Sequence, residues 1–329
     1  MRPASCGPHA LLLRAFAAAG LLVAAGAIAL AVAPARSAGA GEAGAAGQKT
    51  GPQEYGCPIL PASDALNQEI VTTPINPNSE RYIESIGLTA HLHPDFGRNP
   101  AYGIPYTVVS GRQRKVPIDF TEYPEESNRG PYPVPPNVPV EGDGQRGDRH
   151  VIVLQKQTCK LYELYNARRS GKGWDAGSGA VFNLRSAALR PAGWTSADAA
   201  GLPIFPLLVR YPEVRSGEID HALRVTVPRT QRGYIHPATH FASEDSDASL
   251  PPMGLRLRLK ASFSLSGYSG QALVILKALK RYGLIVADNG SPWYMTGAPN
   301  ADWNEASLAQ LKQVTGADFE AVQSGRIIR

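Results

Sequence analysis

The chain has 329 residues, a formal net charge of +5, 43% hydrophobic and 19% charged residues, and three cysteines. That apolar fraction can bury a sizeable core and excludes a disordered charged tail, while three cysteines exclude a disulfide-dense miniature scaffold. No internal repeat with a period of about 20 to 50 residues is present, which argues against a solenoid or propeller.

Arg2 and Arg14 flank the start of an uncharged apolar run from Ala15 to Ala33, and small residues continue to Ala40. This predicts an export signal over 1–40, processed near Ala38-Gly39-Ala40. The run also approaches the ~20 residues that span a bilayer, so an uncleaved N-terminal anchor stays open. Membrane contact is expected only there. Residues 41–54 are small, polar and rich in Gly and Ala, and they read as a flexible linker ahead of one β-rich secreted domain over 55–329. Without residues 1–40 the chain keeps 30 basic against 28 acidic residues. The basic character belongs largely to the signal, and with no recognition module in view nucleic acid is not an expected partner.

Cys57 and Cys159 are the thiols left after the signal, and in an oxidising compartment they are expected to form a disulfide. The alternative is a nucleophilic Cys with a His partner. A helix is predicted from Glu80 to Ile86, capped by Asn78-Ser79 and ended by Gly87. His91-x-His93 has half of a metal-binding pattern, but Pro94 follows at once. Residues 104–109 and 115–120 read as extended segments around Ser110-Gly111. The stretch PYPVPPNVPV at 131–140 reads as an extended polyproline connector crossing a surface.

Residues 150–155 and 159–165 predict a hairpin, and 179–184 a further strand. A capped helical turn is expected over 195–201. Alternation predicts strands over 218–227 and 255–263. His236 and His240 have helical spacing for a metal pair, but Pro237 interrupts it; no metal and no cofactor are expected. A helix follows over 269–282, ended by Gly283, then short strands over 284–288 and 293–296 joined through Asn289-Gly290. A last amphipathic helix is expected over 304–314. Many short strands with few helices predict a mainly β fold with α decoration and a β-sandwich or jelly-roll-like core.

On the strand predicted over 218–227, Glu218, Asp220, Ala222, Arg224 and Thr226 share one face, with Ile219, His221, Leu223, Val225 and Val227 on the other. Two carboxylates on one strand face suit glycosidic chemistry, and a solvated charge pair is the plainer reading. His221 lies on the apolar side, as a core histidine or a supporting acid/base group beside His150. Arg256, Arg258 and Lys260 point away from the leucines of their strand, as a basic face for an anionic polysaccharide or as a plain solvated edge. Trp194 and Trp293 are candidate sugar platforms or, like most tryptophans, anchors. Asp148 and His150 begin a strand and are candidates for a cleft shared with Glu163. Asp288 is assigned to turn chemistry ahead of Asn289-Gly290. Lipase, kinase, dehydrogenase and metalloprotease motifs are absent from the sequence.

The stretches HLHPDFG at 91–97, GDRHVIVL at 147–154, LRPAGWTSADAAGLPI at 189–204, GEIDHALR at 217–224 and PPMGLRLRLKASF at 251–263 resemble a group of secreted bacterial proteins with no assigned activity. The resemblance implies one exported unit and transfers no catalytic residue. The residues themselves lead to a secreted carbohydrate-active enzyme, a glycoside hydrolase or polysaccharide lyase, with a polysaccharide as partner. Glu218, Asp220, His221 and His150 are the catalytic candidates, and Arg256, Arg258, Lys260, Trp194 and Trp293 the substrate side. A non-catalytic carbohydrate-binding or wall-associated structural protein is the alternative.

Overall fold

The computed structural model describes residues 51–145 and 147–329. The predicted signal or anchor over 1–40, and the linker up to residue 50, lie outside the described residues. Strands β1 (Gln53–Glu54) and β2 (Cys57–Pro58) already pair with one another and Glu54 is buried, so the fold takes in the end of the predicted linker. Helix α1 (Ser79–Ile86) forms where expected and buries Tyr82, Ile83 and Ile86. It stops at Gly87, which adopts φ 124°, and the Asn78 side chain makes no capping bond. Then come β3 (His93–Asp95), β4 (Tyr106–Val109) and β5 (Ile118–Phe120). The turn between β4 and β5 does not pair them, because each finds a parallel neighbour in a different sheet.

The central strands are β6 (Val151–Gln155), β7 (Lys160–Tyr165), β8 (Arg168–Ser170), β9 (Gly173–Ala176) and β10 (Ser178–Asn183). After them the chain forms α2 (Tyr211–Ser216), β11 (Leu223–Val227), β12 (Arg256–Leu259) and α3 (Gly270–Arg281). It closes with β13 (Leu284–Asn289), β14 (Tyr294–Thr296), α4 (Glu305–Ala309) and β15 (Phe319–Ala321). The result is mainly β with a few helices. The three larger sheets run β10-β7-β6-β4, β15-β12-β13-β11-β14-β3 and β5-β9-β8, and each contains a parallel pair.

Period-two alternation explains the layering. On β6 and β7, Ile152, Leu154 and Leu161 enter the large core, which also takes Leu223 and Val225 of β11 and Leu257 of β12. Their neighbours Val151, Val153, Tyr162 and Leu164 enter a second, smaller core with Ile118 of β5 and Trp174 and Ala176 of β9. The four-stranded sheet is therefore apolar on both faces. The proline-rich segment belongs to this second core: Tyr132, Val134 and Val138 are buried there, so 131–140 packs rather than merely crossing the surface.

Two predicted elements differ. Residues 195–201 form a turn, held by side-chain hydroxyls, with no helix. The strand predicted from 218 begins only at Leu223, because Gly217 ends α2 in a left-handed conformation at φ 94° and the chain needs 218–222 to return to the sheet. Among the described residues no helix is long and apolar enough to cross a membrane.

Candidate active site

A disulfide joins Cys57 to Cys159, with Cα atoms 5.4 Å apart. It fastens β2 to the turn between β6 and β7. Both cysteines are fully buried, which leaves neither as a nucleophile.

Of the carboxylates read from sequence, Glu218 and Asp220 come together, but on the surface loop after α2 and not on a strand face. Both engage Arg281, Glu218 by a hydrogen bond and Asp220 at 3.7 Å, while Tyr282 donates to Asp220 at 3.1 Å. Their side chains are 55% and 41% exposed and line different surface grooves. The pair is thus a solvated ion cluster on the outside of the fold.

His221 is fully buried. Its Nε2 lies 3.1 Å from Glu213 and its Nδ1 2.8 Å from the Ala222 carbonyl, beside Arg210, so it is enclosed in a buried polar cluster. Arg256 and Arg258 are also buried, which corrects their placement on a substrate face. Arg256 donates to the carbonyls of Ala65 at 2.7 Å and Tyr282 at 2.5 Å. Arg258 donates to the carbonyls of Ile70, Val71 and Thr73 and pairs with Glu320 at 2.8 Å. Only Lys260 of this stripe is exposed. Trp293 is fully buried, stacked on Phe319 and bonded to the Gly87 carbonyl, so it offers no ring face to a sugar. Trp194 is half-buried with the Arg190 guanidinium 5.6 Å from its ring centre.

The chemistry gathers elsewhere, where the start of β6, the end of β7 and the start of β10 meet the end of β13. Here a pocket of about 220 Å³ is lined by Asp148, Tyr165, Ser178, Asp198, His240 and Asp288, among others. The turn 195–201 forms one wall and is itself held from several sides. Ser178 Oγ donates to the Ser196 carbonyl at 2.6 Å, Ser196 Oγ to that of Leu202 at 2.6 Å, and Arg190 Nε to that of Thr195 at 2.8 Å. His150, expected at this cleft, stands behind the wall and is 2% exposed. Its Nδ1–H donates to Glu141 at 2.7 Å and its Nε2–H to the Ala197 carbonyl at 2.9 Å, so both ring nitrogens are donors. Desolvation pulls the pKa of His150 down, but the charge and hydrogen bond of Glu141 outweigh it and hold the value at about 9. Glu163, the other expected member, is fully buried and accepts the N–H groups of Ile204 and Phe205 at the next turn. Burial raises its pKa to about 7 against the lowering effect of those bonds.

Behind the pocket wall, Arg224 of β11 links two acids. Its Nη2 donates to Asp198 Oδ1 and to Asp288 Oδ2, each at 2.8 Å, and Nε donates to the same Asp198 oxygen at 3.0 Å. Thr296 Oγ1 accepts from Nη1 at 2.9 Å. Asp198 Oδ1 therefore takes two guanidinium bonds, and Oδ2 is buried with no hydrogen-bond partner. Asp288 is held on both oxygens, since Oδ1 accepts the Asn289 N–H at 2.8 Å. Desolvation raises the pKa of both acids, Arg224 opposes it, and on Asp198 repulsion from Asp288 adds to the rise.

A bulge puts Asp288 in place. Val225 pairs with Val286, but Thr226 pairs with Asp288, so Ala287 is an extra residue in β13. Parallel partners share a face, and one inserted residue turns Asp288 onto the side of Arg224, away from the apolar side. Sequence reasoning placed Arg224 on the correct face but attached it to Glu218 and Asp220; Asp198 it missed. One signal was available: a cation inside an otherwise apolar strand must find buried acceptors, carboxylates or carbonyls.

Another cavity, of about 280 Å³ and largely apolar, is lined by Leu66, Phe182, Leu189 and Leu202 with Asp64 and Arg190. Both of these charged groups are already engaged, Asp64 as a cap on Leu66 N–H and Arg190 on the carbonyls of Glu126 and Thr195 and the side-chain oxygen of Asn128. Among the described residues no group of three or more His, Cys, Asp or Glu is arranged to hold a metal ion. A scan against protein-family models and searches of curated proteins and of solved structures return no match.

Proposed function

We propose that the protein is an exported glycoside hydrolase whose catalytic carboxyls are Asp198 and Asp288, in place of Glu218 and Asp220. The observation that carries this is the shared guanidinium. Two bonds of 2.8 Å to one nitrogen keep the bonded oxygens within about 5.6 Å of each other, which is compatible with the close carboxyls of a retaining pair. The environments also differentiate the two acids. Asp198 Oδ2, buried and unbonded, is the oxygen on which a proton is retained, so Asp198 acts as the general acid. Asp288 has donors on both oxygens, which favours its carboxylate form against the raising effect of burial, and it acts as the nucleophile.

In the first step the Asp198 proton passes to the leaving glycosidic oxygen while an Asp288 oxygen bonds to the anomeric carbon and the glycosidic bond breaks. In the second, Asp198 takes a proton from water, the water oxygen attacks the anomeric carbon, and Asp288 is released. Burial of Arg256 and Arg258 removes the cations that a uronate lyase would need to neutralise its substrate, which favours a hydrolase. The Cys57–Cys159 disulfide supports a location outside the reducing cytoplasm, secreted or in the cell envelope.

Product analysis of the purified protein over a panel of oligosaccharides tests this. New reducing ends are expected, with Asp198→Asn and Asp288→Asn each lowering the rate roughly 10²- to 10⁴-fold while the circular dichroism spectrum is retained. Retention of a saccharide without any cleavage would instead make the pocket a binding site of a non-catalytic module.

A further inference from the structure

A surface pocket of about 220 Å³ opens where the β1–β2 turn, the start of β4, the start of α2 and the segment after β14 meet, and it shares no lining residue with the pocket at Asp198. We propose that it is a second saccharide site, which holds one ring of a neutral polysaccharide against Tyr55, Tyr106 and Tyr211 and binds ring hydroxyls through the Tyr55–Tyr106 hydroxyl pair and Asn300. A chain can be held here whether or not it is cut at Asp198, so the site is independent of the hydrolase reading. Its rings are the aromatic faces that Trp293, being buried, cannot offer. Tyr55 is 44% exposed, and Tyr106 and Tyr211 are half-buried.

The backbone under Tyr55 points to a ligand. Glu54 pairs with Cys57, and Tyr55 and Gly56 between them have φ 52° and 78°, the two positive angles of a type I′ turn. Asn or Gly fits the first of these positions with least strain, whereas a bulky ring there costs backbone energy and still leaves apolar surface in water. The disulfide at Cys57 holds the turn, and Tyr55 meets Tyr106 edge to face with ring centres 6.1 Å apart. Tyr211 stands at 87° to Trp303, whose indole N–H donates to the Ala298 carbonyl at 2.9 Å in the same wall. The rings are thus fixed before a ligand arrives, which lowers the entropy cost of binding.

Uncommitted donors stand beside these rings. The Tyr55 and Tyr106 hydroxyls bond to each other at 2.8 Å, so one of their two protons has no acceptor among the described residues. Asn300 Oδ1 accepts the Asp302 N–H at 2.9 Å, and its amide nitrogen has no acceptor among the described residues. None of the described lining residues is charged. The charges that act on Tyr106, Arg210 and Glu54, are buried and opposite in sign. Aromatic faces beside neutral donors suit an uncharged pyranose, and they give a uronate carboxylate no cation to replace its water. At about 220 Å³ the pocket falls below the ~300 to 1,000 Å³ of drug-sized sites, which suits a single ring of the chain.

Native electrophoresis of the purified chain through gels holding hydroxyethylcellulose, amylopectin, arabinoxylan, galactomannan or polygalacturonate tests this. Retardation by at least one of the four neutral polymers is expected, with less by polygalacturonate. Tyr55→Asn should weaken the affinity about tenfold while the melting temperature is retained, because Asn suits the turn. Tyr55→Phe, which removes the hydroxyl and keeps the ring, should weaken it by about two- to tenfold and decides the case if Tyr55→Asn proves unstable. Asp198→Asn should be retarded as fully as the unchanged chain. No retardation by any neutral polymer, undiminished retardation in both Tyr55 variants, stronger retardation by polygalacturonate, or loss of retardation in Asp198→Asn overturns the proposal. Calorimetric binding of decaproline that Tyr55→Asn abolishes, with no polysaccharide retarding the chain, overturns it too and makes the pocket a site for proline-rich peptides. Retardation that depends on Tyr55 without any cleavage removes the hydrolase and leaves this site standing; cleavage without such retardation does the reverse.

Discussion

His150 is a buried cation whose two partners both accept, which makes its protonation part of the fold. Its folded pKa of about 9 lies above the ordinary histidine value, taken here as 6.5. The stabilisation is therefore complete below about pH 6.5 and is lost as pH rises to about 9, by at most about 3 kcal/mol. Glu163 acts in the same direction, because a carboxyl with its folded pKa raised to about 7 also favours the folded state at lower pH. Denaturant midpoints measured between about pH 5 and 9 are expected to fall with rising pH, and in His150→Gln the fall should be shallower above about pH 7. A midpoint that rises over this interval would show that His150 is held neutral. The residue itself was visible in the sequence at the start of a predicted strand. Its partner Glu141 was not, since nothing local connects positions nine apart across a loop.

The 195–201 turn is the element on which the site depends. Apolar and small residues with a Thr-Ser start suggested a capped helix, but the hydroxyls of Thr195 and Ser196 bond to the Asp198 carbonyl and Ser196 Oγ to that of Leu202, closing a tight turn in place of a helical ladder. Gly201 completes it at φ 73°, and a Cβ there would meet the Trp194 carbonyl at 2.6 Å and collide with Thr239 Oγ1. Gly201→Ala is expected to destabilise the protein by about 2 to 4 kcal/mol, from left-handed strain plus the clash. Urea denaturation checks it, and a loss below about 0.5 kcal/mol would mean that the turn rearranges freely. β12 teaches a related lesson. Alternating Leu and Arg reads equally well as an exposed edge, yet β12 lies between β13 and β15 and its arginines face the 65–73 backbone. Loop carbonyls that face the sheet need donors, and a guanidinium carries five. The residues at 218–222 alternate as a strand would, but periodicity says nothing about which backbone groups are available to pair.

Over the whole molecule, the long-range tie is the disulfide, which closes a loop across a sequence separation of 102 residues and anchors the N-terminal ribbon to the central sheet. In the chain-entropy account such a loop stabilises by ~4 to 5 kcal/mol. Cys57→Ser with Cys159→Ser should lower the denaturant-derived stability by about that amount, and adding reductant to the unchanged protein should lower the melting temperature. No change in either measurement would place the folding constraint elsewhere. The pairing was legible because two thiols permit one bridge. The mainly β class, α1, α3 and the β6–β7 hairpin were legible for a similar reason: their signals are local, carried by alternation or by a helical stripe ended with glycine. Which strands become neighbours was not. β13 and β14 are consecutive in the chain, yet β11 lies between them, and that insertion sets Arg224 beside Asp288 and Thr296. The sequence by itself determined α1, α3, the β6–β7 hairpin, the disulfide and the presence of a cation in an apolar strand, because each follows from residues close in the chain or from simple counting. Only the tertiary structure decided which carboxylates meet in a pocket and which stay on the surface. That choice depends on strand order, on the bulge at Ala287 and on the turn at Asp198, all products of packing between segments dozens of residues apart.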